Sequence, residues 1–220
     1  MTLANVTIAN KLPAFFAGQD RTKVGLVVVQ EWWGLNEWMK TITEKFASSG
    51  VAAVCPDLYH GKVANNEKEA SHLMSHLDWD EALGELQSAV DWLKTEKKVE
   101  KVVVMGFCMG GALTISAGAC LKNLDGGACF YGVPPTTVAL PKNITCKMQF
   151  HFGELDECKG FSDQEVAHKL EREVKTANVP YEFFHYPQCK HAFMNQLRPN
   201  YNQQAADVAF ERVLLFCKGL

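Results

Sequence analysis

The chain alternates short, β-branched apolar runs with helical segments over most of its length. Such runs are typical of strands that are buried on both faces of a sheet. Because parallel strands need crossover helices between them, the alternation predicts an α/β fold with a mostly parallel sheet and helices on both faces. The predicted strands lie at 23–30, 51–55, 99–105, 127–131, 147–152 and 181–185.

Helices are predicted between these strands and after the last one. The segment Asp80–Lys94 shows the pattern best, because its leucines and valines recur every three or four residues and form one apolar stripe. Other helices are predicted at 37–48, 109–120, around 166–174, and at 205–217. No repeat or Pro/Gly-rich linker divides the 220 residues, so residues 1–220 are expected to form a single domain.

Composition narrows the range of partners. With 47% hydrophobic and 21% charged residues, the chain is typical of a globular protein rather than a collagen-like, disordered or coiled-coil one. A net charge of -3 gives no attraction to nucleic acid, and no apolar run approaches the ~20 residues of a membrane helix. We therefore expect a small-molecule partner, no nucleic acid and no membrane, and leave the oligomeric state open.

The cysteines indicate whether the protein works in a reducing or an oxidising compartment of the cell. The chain has eight of them but no C-x-x-C pair, and its beginning lacks the charged and apolar regions of a secretory signal. We expect reduced thiols and a cytoplasmic protein.

The segment Gly106-Phe107-Cys108-Met109-Gly110 has the G-x-nucleophile-x-G form of a nucleophile elbow, with cysteine in place of serine. It follows a predicted strand and precedes a predicted helix, which is the context that this motif requires. At the helix N-terminus, the dipole favours a thiolate and the next backbone N–H can bind an oxyanion. The alternative is that the glycines serve only close packing and that Cys108 is an inert buried thiol.

A catalytic cysteine needs a base and an orienting acid. In folds with this elbow, the acid follows the nucleophile and the histidine comes last. Asp156 follows the fifth predicted strand and His191 the sixth, so the predicted triad is Cys108, Asp156 and His191, with Glu154 and Glu157 as competing acids. The pair His72 and His76 lacks the further ligands of a metal set, and no metal is expected.

Five segments together resemble the dienelactone hydrolase family of α/β-hydrolases. They are Gln30-Glu31-Trp32-Trp33-Gly34-Leu35-Asn36, Pro56-Asp57-Leu58-Tyr59, the cysteine elbow, Gly153-x-x-Asp156 and His191-x-Phe193. The resemblance implies an α/β-hydrolase fold, a Cys-Asp-His triad, no metal or organic cofactor, and hydrolysis of small carboxylic esters or lactones.

The resemblance also assigns residues that spacing alone does not. It implies that Glu31 takes part in a switch between a resting thiol and a thiolate, whereas the residue type alone fits a surface ion pair equally well. It implies that the N–H groups of Trp32 and Met109 form the oxyanion hole. Tryptophans are candidates to line an apolar pocket, although core packing is preferred for Trp38 and Trp79.

One departure from the family bears on the substrate. Members that act on the anionic dienelactone are expected to hold its carboxylate with two arginines, yet this chain has no arginine between Arg21 and Arg172. Asn195 stands four residues after His191, and Arg198 is the nearest possible substitute. The predicted substrate contacts are Trp33, Tyr59, Asn195 and Arg198, and dienelactone itself is not the expected substrate.

Two other functions remain open at this point. One is a hydrolase-fold protein that binds a ligand without turnover, because a fold hosts unrelated functions. The other is a redox sensor, because an exposed thiol of low pKa oxidises readily.

Overall fold

The computed structural model describes residues 1–9, 11–19 and 21–220. Within them, eight strands form one sheet in the order β1-β2-β4-β3-β5-β6-β7-β8. The strands are β1 (Thr2–Ile8), β2 (Leu12–Gly18), β3 (Val24–Val29), β4 (Ala52–Pro56), β5 (Lys101–Phe107), β6 (Gly126–Phe130), β7 (Lys147–Gly153) and β8 (Tyr181–Tyr186). Strands β3 to β8 are parallel to one another, whereas β2 pairs antiparallel with both β1 and β4.

The α-helices cover both faces of this sheet. They are α1 (Glu37–Ser48), α2 (Glu67–Ser75), α3 (Trp79–Thr95), α4 (Met109–Cys120), α5 (Gln164–Thr176) and α6 (Gln203–Lys218), and a short 3-10 helix spans Pro141–Asn143. Helices α1 and α6 pack on one face, and α3, α4 and α5 pack on the other. Successive residues of β3 show the division, since Leu26 and Val28 face α1 while Val27 and Val29 face α3.

The predicted α/β fold is confirmed, and the predicted segments match β3 to β8 and five of the helices to within a few residues. The antiparallel strands β1 and β2 were not predicted, nor was α2 as an element. Strand β1 is mostly exposed at the edge of the sheet, so it lacks the continuous apolar run that marks a buried strand. No helix in the described part of the chain combines the length and apolar character needed to cross a membrane.

The parallel pairing brings the carboxyl ends of β3 to β8 to one edge of the sheet, where such folds bind their ligands. The residues that follow these strands include Glu31 after β3, Tyr59 after β4, Cys108 after β5, Asp156 after β7 and His191 after β8. The topology therefore gathers the predicted site residues into one region.

Candidate active site

Cys108 lies at the turn between β5 and α4, in a backbone conformation that non-glycine residues rarely adopt. Its φ is 56° and its ψ is -117°, and it is the N-cap residue of α4. Its N–H donates to Phe130 O at 3.0 Å, and its own carbonyl accepts from the N–H of Ala112. These bonds hold the strained turn, which leaves the thiol at the positive end of α4 with 8% of the residue exposed.

Two glycines allow the backbone to pass this turn closely. A Cβ on Gly110 would lie 2.4 Å from Val29 O and 2.6 Å from Gln30 O, and one on Gly132 would lie 2.0 Å from Cys108 O. Each of these atoms belongs to the backbone, which cannot move aside as the end of a side chain can. The start of α4 therefore packs directly against the end of β3, and a glycine is required there.

Gly110→Ala is expected to lower the free energy of unfolding by about 3 kcal/mol, because the added methyl group meets two carbonyl oxygens. Gly84→Ala is the matched control, since Gly84 is an exposed residue of α3 whose added Cβ would meet nothing within 4 Å. That control is expected to raise stability by about 0.5–1 kcal/mol. Chemical denaturation measures both values, and equal stability of the two variants would contradict the packing argument.

Asp156 and His191 form a direct pair. The Nδ1 atom of His191 lies 2.8 Å from Asp156 Oδ2 and 3.0 Å from the hydroxyl of Ser162. The other carboxylate oxygen accepts from the N–H of Cys158 at 2.9 Å. Since Nδ1 faces the carboxylate, Nε2 is the nitrogen left for chemistry.

The two glutamates that competed with Asp156 for the role of orienting acid point to solvent rather than to His191. Glu154 and Glu157 are exposed, and the carboxylate of Glu157 lies 3.6 Å from Lys190 Nζ. Among the three acidic residues considered for this role, Asp156 is the one that the structure places against His191.

The pair shifts the pKa of both members. Burial acts to raise the pKa of Asp156, but the hydrogen bond and charge of His191, together with hydrogen bonds from Cys158 and Ser162, outweigh burial and lower that pKa. Burial acts to lower the pKa of His191, but hydrogen bonding to Asp156 and to the thiols of Cys108 and Cys158 raises it well above its ordinary value. The imidazole is thus suited to accept a proton from a neighbouring thiol.

Glu31 is a buried acid at the end of β3. Only 2% of the residue is exposed, and burial raises the pKa of its carboxyl group. Its Oε2 accepts from Asn195 Nδ2 at 2.8 Å, whereas Oε1 is buried without a hydrogen-bond partner in the described residues. The surface ion pair that the residue type also allowed is therefore wrong.

The predicted oxyanion donors sit on either side of the contact between β3 and α4. Met109 is the first residue of α4, so the helical ladder does not use its N–H. Trp32 comes three residues after the end of β3, whose last carbonyl groups contact Gly110. The two peptide groups are thus carried by segments that touch each other.

Aromatic residues and one arginine surround the site. The guanidinium carbon of Arg198 lies 3.6 Å from the ring centroid of Trp33, and Trp32 packs edge-on against the same ring. The hydroxyl of Tyr59 is 3.2 Å from the sulfur of Met109. Trp38 is 2% exposed within the core, as predicted.

Asn195 makes a contact with Glu31 that the sequence did not predict. The residue is 1% exposed, its amide donates to Glu31, and its carbonyl accepts from the N–H of Leu197 at 2.9 Å. A buried side chain bound in this way is suited to orient Glu31, and contact of Asn195 with a substrate stays a prediction.

Sequence reasoning missed two neighbours of His191. One is Ser162, described above, and the other is Tyr131, whose ring lies edge-on to the imidazole with centroids 5.0 Å apart. Tyr131 is fully buried with a φ of 39° and follows β6 directly. The rule that sites lie at the carboxyl ends of parallel strands could have found it.

A mostly parallel sheet with a strained cysteine after β5, an aspartate after β7 and a histidine after β8 has the arrangement of an α/β-hydrolase. The model of the dienelactone hydrolase family matches residues 12–219. The chain belongs to the dienelactone hydrolase family, whose members are ester and lactone hydrolases, and the predicted family is confirmed.

Individual relatives agree with this assignment. Protein usf of Aquifex pyrophilus is 32% identical over 204 residues, which cover 88% of this chain and 87% of that protein. A protein of Aquifex aeolicus (strain VF5), provisionally named carboxymethylenebutenolidase, is 30% identical over 218 residues, which cover 94% and 93%. A crystal structure from Klebsiella pneumoniae subsp. pneumoniae MGH 78578, provisionally described as a dienelactone hydrolase, superposes with a TM-score of 0.86 at 19% identity and covers 100% of this chain and 98% of that one.

Proposed function

We propose that the protein hydrolyses small carboxylic esters or lactones through a thioester formed on Cys108. One observation carries the proposal: a strained cysteine at the N-terminus of α4 shares a sheet edge with a hydrogen-bonded pair of His191 and the buried Asp156. The name carboxymethylenebutenolidase, carried by the Aquifex aeolicus relative, supports the same chemistry.

In the first half of the reaction, His191 takes the proton of the Cys108 thiol, and the thiolate attacks the carbonyl carbon. The N–H groups of Trp32 and Met109 bind the oxyanion of the tetrahedral intermediate. As the intermediate collapses, the ester C–O bond breaks and His191 gives its proton to the leaving alkoxide. Asp156 keeps the imidazole in the required tautomer throughout.

In the second half, water attacks the thioester while His191 accepts one of its protons. The C–S bond then breaks, the carboxylic acid leaves and the thiol regains its proton. Glu31 takes part in the switch of Cys108 from its resting thiol to the thiolate when substrate binds, while the thiol proton itself goes to His191. Its raised pKa and its unpartnered Oε1 support this role.

Chemical modification tests the nucleophile. Stoichiometric iodoacetamide is expected to abolish turnover of p-nitrophenyl acetate and to label Cys108 first. Cys120 is the internal control, because it is the exposed thiol in the described structure and would react first if exposure alone decided. Quenched turnover is expected to show an acetyl group on Cys108 by mass spectrometry, and full inactivation with Cys108 unmodified would contradict the proposal.

We further propose that the preferred substrates are neutral. A carboxylate held by arginine gains charge-assisted bonds of about 1.5–3 kcal/mol each, so a lost contact costs an anionic substrate roughly ten- to a hundredfold. Arg198 stacks on the buried ring of Trp33, while the partly exposed ring of Trp32 supplies an apolar surface beside it. That surface favours apolar substrates at about 25 cal/mol per Å² removed from water.

Matched neutral and carboxylated enol lactones measure this preference. The neutral compound is expected to have the higher kcat/KM, and Arg198→Ala is expected to leave the order unchanged. A tenfold preference for the anion that disappears in Arg198→Ala would show that Arg198 binds the substrate carboxylate.

We also propose a cytoplasmic location and one domain. The eight cysteines are all free, and a hydrolase that depends on a thiol needs a reducing compartment. The eight described strands share one sheet, which supports a single domain over residues 1–220.

A further inference from the structure

Three potential metal ligands meet on the surface formed by α5 and β8, away from the proposed catalytic residues. His168 and Glu171 are three residues apart on α5, so they share one face of the helix, and His185 comes from β8. One ligand atom from each residue lies within 4.8 Å of the other two. We call this group of residues the α5–β8 cluster.

We propose that the α5–β8 cluster binds a divalent transition-metal ion, with Zn²⁺ as the best match. Two imidazole nitrogens and one carboxylate oxygen form a ligand set that proteins use for Zn²⁺, with water in the fourth position. Bonds of about 2.0–2.1 Å in a tetrahedron place neighbouring ligand atoms roughly 3.3 Å apart. The separation of 3.2 Å between His185 Nε2 and Glu171 Oε2 already has this value.

The third ligand, the imidazole of His168, needs only a small movement to reach the ion. The imidazole rings of His168 and His185 lie side by side, with centroids 4.9 Å apart. His185 is held in place by stacking on Phe183, whereas His168 is an exposed residue whose side chain can rotate toward the ion. An ion pair between His185 and Glu171 would account for two of the residues but not for the second imidazole beside them.

The side chains of the α5–β8 cluster are exposed enough to solvent for a metal ion and one water molecule to enter. The side chains of His185 and Glu171 are 24% and 35% exposed, so two ligands are partly fixed while solvent reaches the centre. The proposed ion joins α5 to β8, and these elements lie between Asp156 and His191 in the chain. Binding is therefore expected to stabilise this half of the sheet against unfolding.

The other two clusters of ligand atoms fit less well. His60 with Glu81 and Glu85 offers only one imidazole nitrogen beside two carboxylate oxygens. Asp156, Cys158 and His191 contain the pair assigned to the catalytic site. The α5–β8 cluster is thus the better accessory site among the residues that the structure describes.

Calorimetric titration of the 220-residue chain with Zn²⁺ alone tests the proposal. Wild type is expected to bind one ion with a dissociation constant below about 10 μM, and its thermal midpoint is expected to rise by roughly 5 °C once Zn²⁺ reaches 100 times that constant. His168→Ala and His185→Ala are each expected to weaken binding at least tenfold, because even outer-shell partners of a metal contribute about 10–100-fold. His72→Ala, which removes a surface histidine from α2, is the matched control and is expected to bind as wild type does.

Co²⁺ distinguishes this site from the thiols. Binding at the α5–β8 cluster is expected to give visible ligand-field bands without a sulfur-to-cobalt charge-transfer band. Hydrolysis without added metal is expected to be the same in His168→Ala and wild type, so a failure of the proposed enzyme activity would leave this test intact. Wild-type affinity in His168→Ala, or no binding by wild type at about 100 μM Zn²⁺, would overturn the proposal.

Discussion

Cys108→Ala is expected to lower kcat/KM for a neutral aryl ester by at least about 10⁴-fold. The substitution removes the atom that forms the thioester, so the oxyanion donors and substrate binding alone would remain. Cys108→Ser is also expected to retain little activity. A hydroxyl group is much harder to ionise than a thiol, and the surrounding base is arranged for the easier proton.

Cys120→Ala is the matched control for this experiment. Cys120 ends the helix that Cys108 precedes, and its side chain is exposed. The control is expected to keep wild-type kcat/KM, and circular dichroism with a thermal midpoint establishes that each variant is folded. Retention of a tenth of the wild-type activity by Cys108→Ala would refute the covalent mechanism, and a tryptophan fluorescence change with a lactone but no turnover in wild type would favour a binding protein.

The parallel part of the sheet could be predicted because each of its strands has a local signal. Strands β3 and β5 are buried on both faces and are therefore continuous apolar runs. Strand β1 carries no such run, since its partner lies on one side only and most of its residues are exposed. Its place in the sheet depends on pairing with β2, which is a property of the folded chain.

The candidate site likewise has features that the sequence predicts and features that only the folded chain shows. The sequence predicted that Cys108, Asp156 and His191 lie at one edge of the sheet. Their order along the chain and the positions of the preceding strands were sufficient for this prediction. Burial of Glu31 and its bond to Asn195 join residues that are 164 positions apart, and no local pattern indicates such a contact. The α5–β8 cluster was missed for the same reason, because its third ligand comes from a separate strand.

His191→Ala and Asp156→Asn are each expected to lower kcat by roughly 10²–10⁴-fold. The first removes the base, and the second allows the imidazole to adopt the wrong tautomer. Glu154→Gln is the matched control two residues from Asp156 and is expected to be close to wild type. A neutral Asp156→Asn together with a severe Glu154→Gln would transfer the orienting role to Glu154.

The pH dependence of the free energy of unfolding tests the contact between Asp156 and His191 without measuring catalysis. The pKa of Asp156 is lowered in the folded protein, so its contribution to stability is present above about pH 4 and is lost as pH falls. The pKa of His191 is raised, so its contribution is complete below about pH 6.5 and is lost as pH rises through the folded value. The stability difference between wild type and Asp156→Asn should therefore be largest between about pH 4 and 6.5 and should shrink on both sides, as chemical denaturation at several pH values would measure. A difference that does not vary with pH would mean that the two groups are not charged partners, and the orienting role of Asp156 would then lose its electrostatic basis.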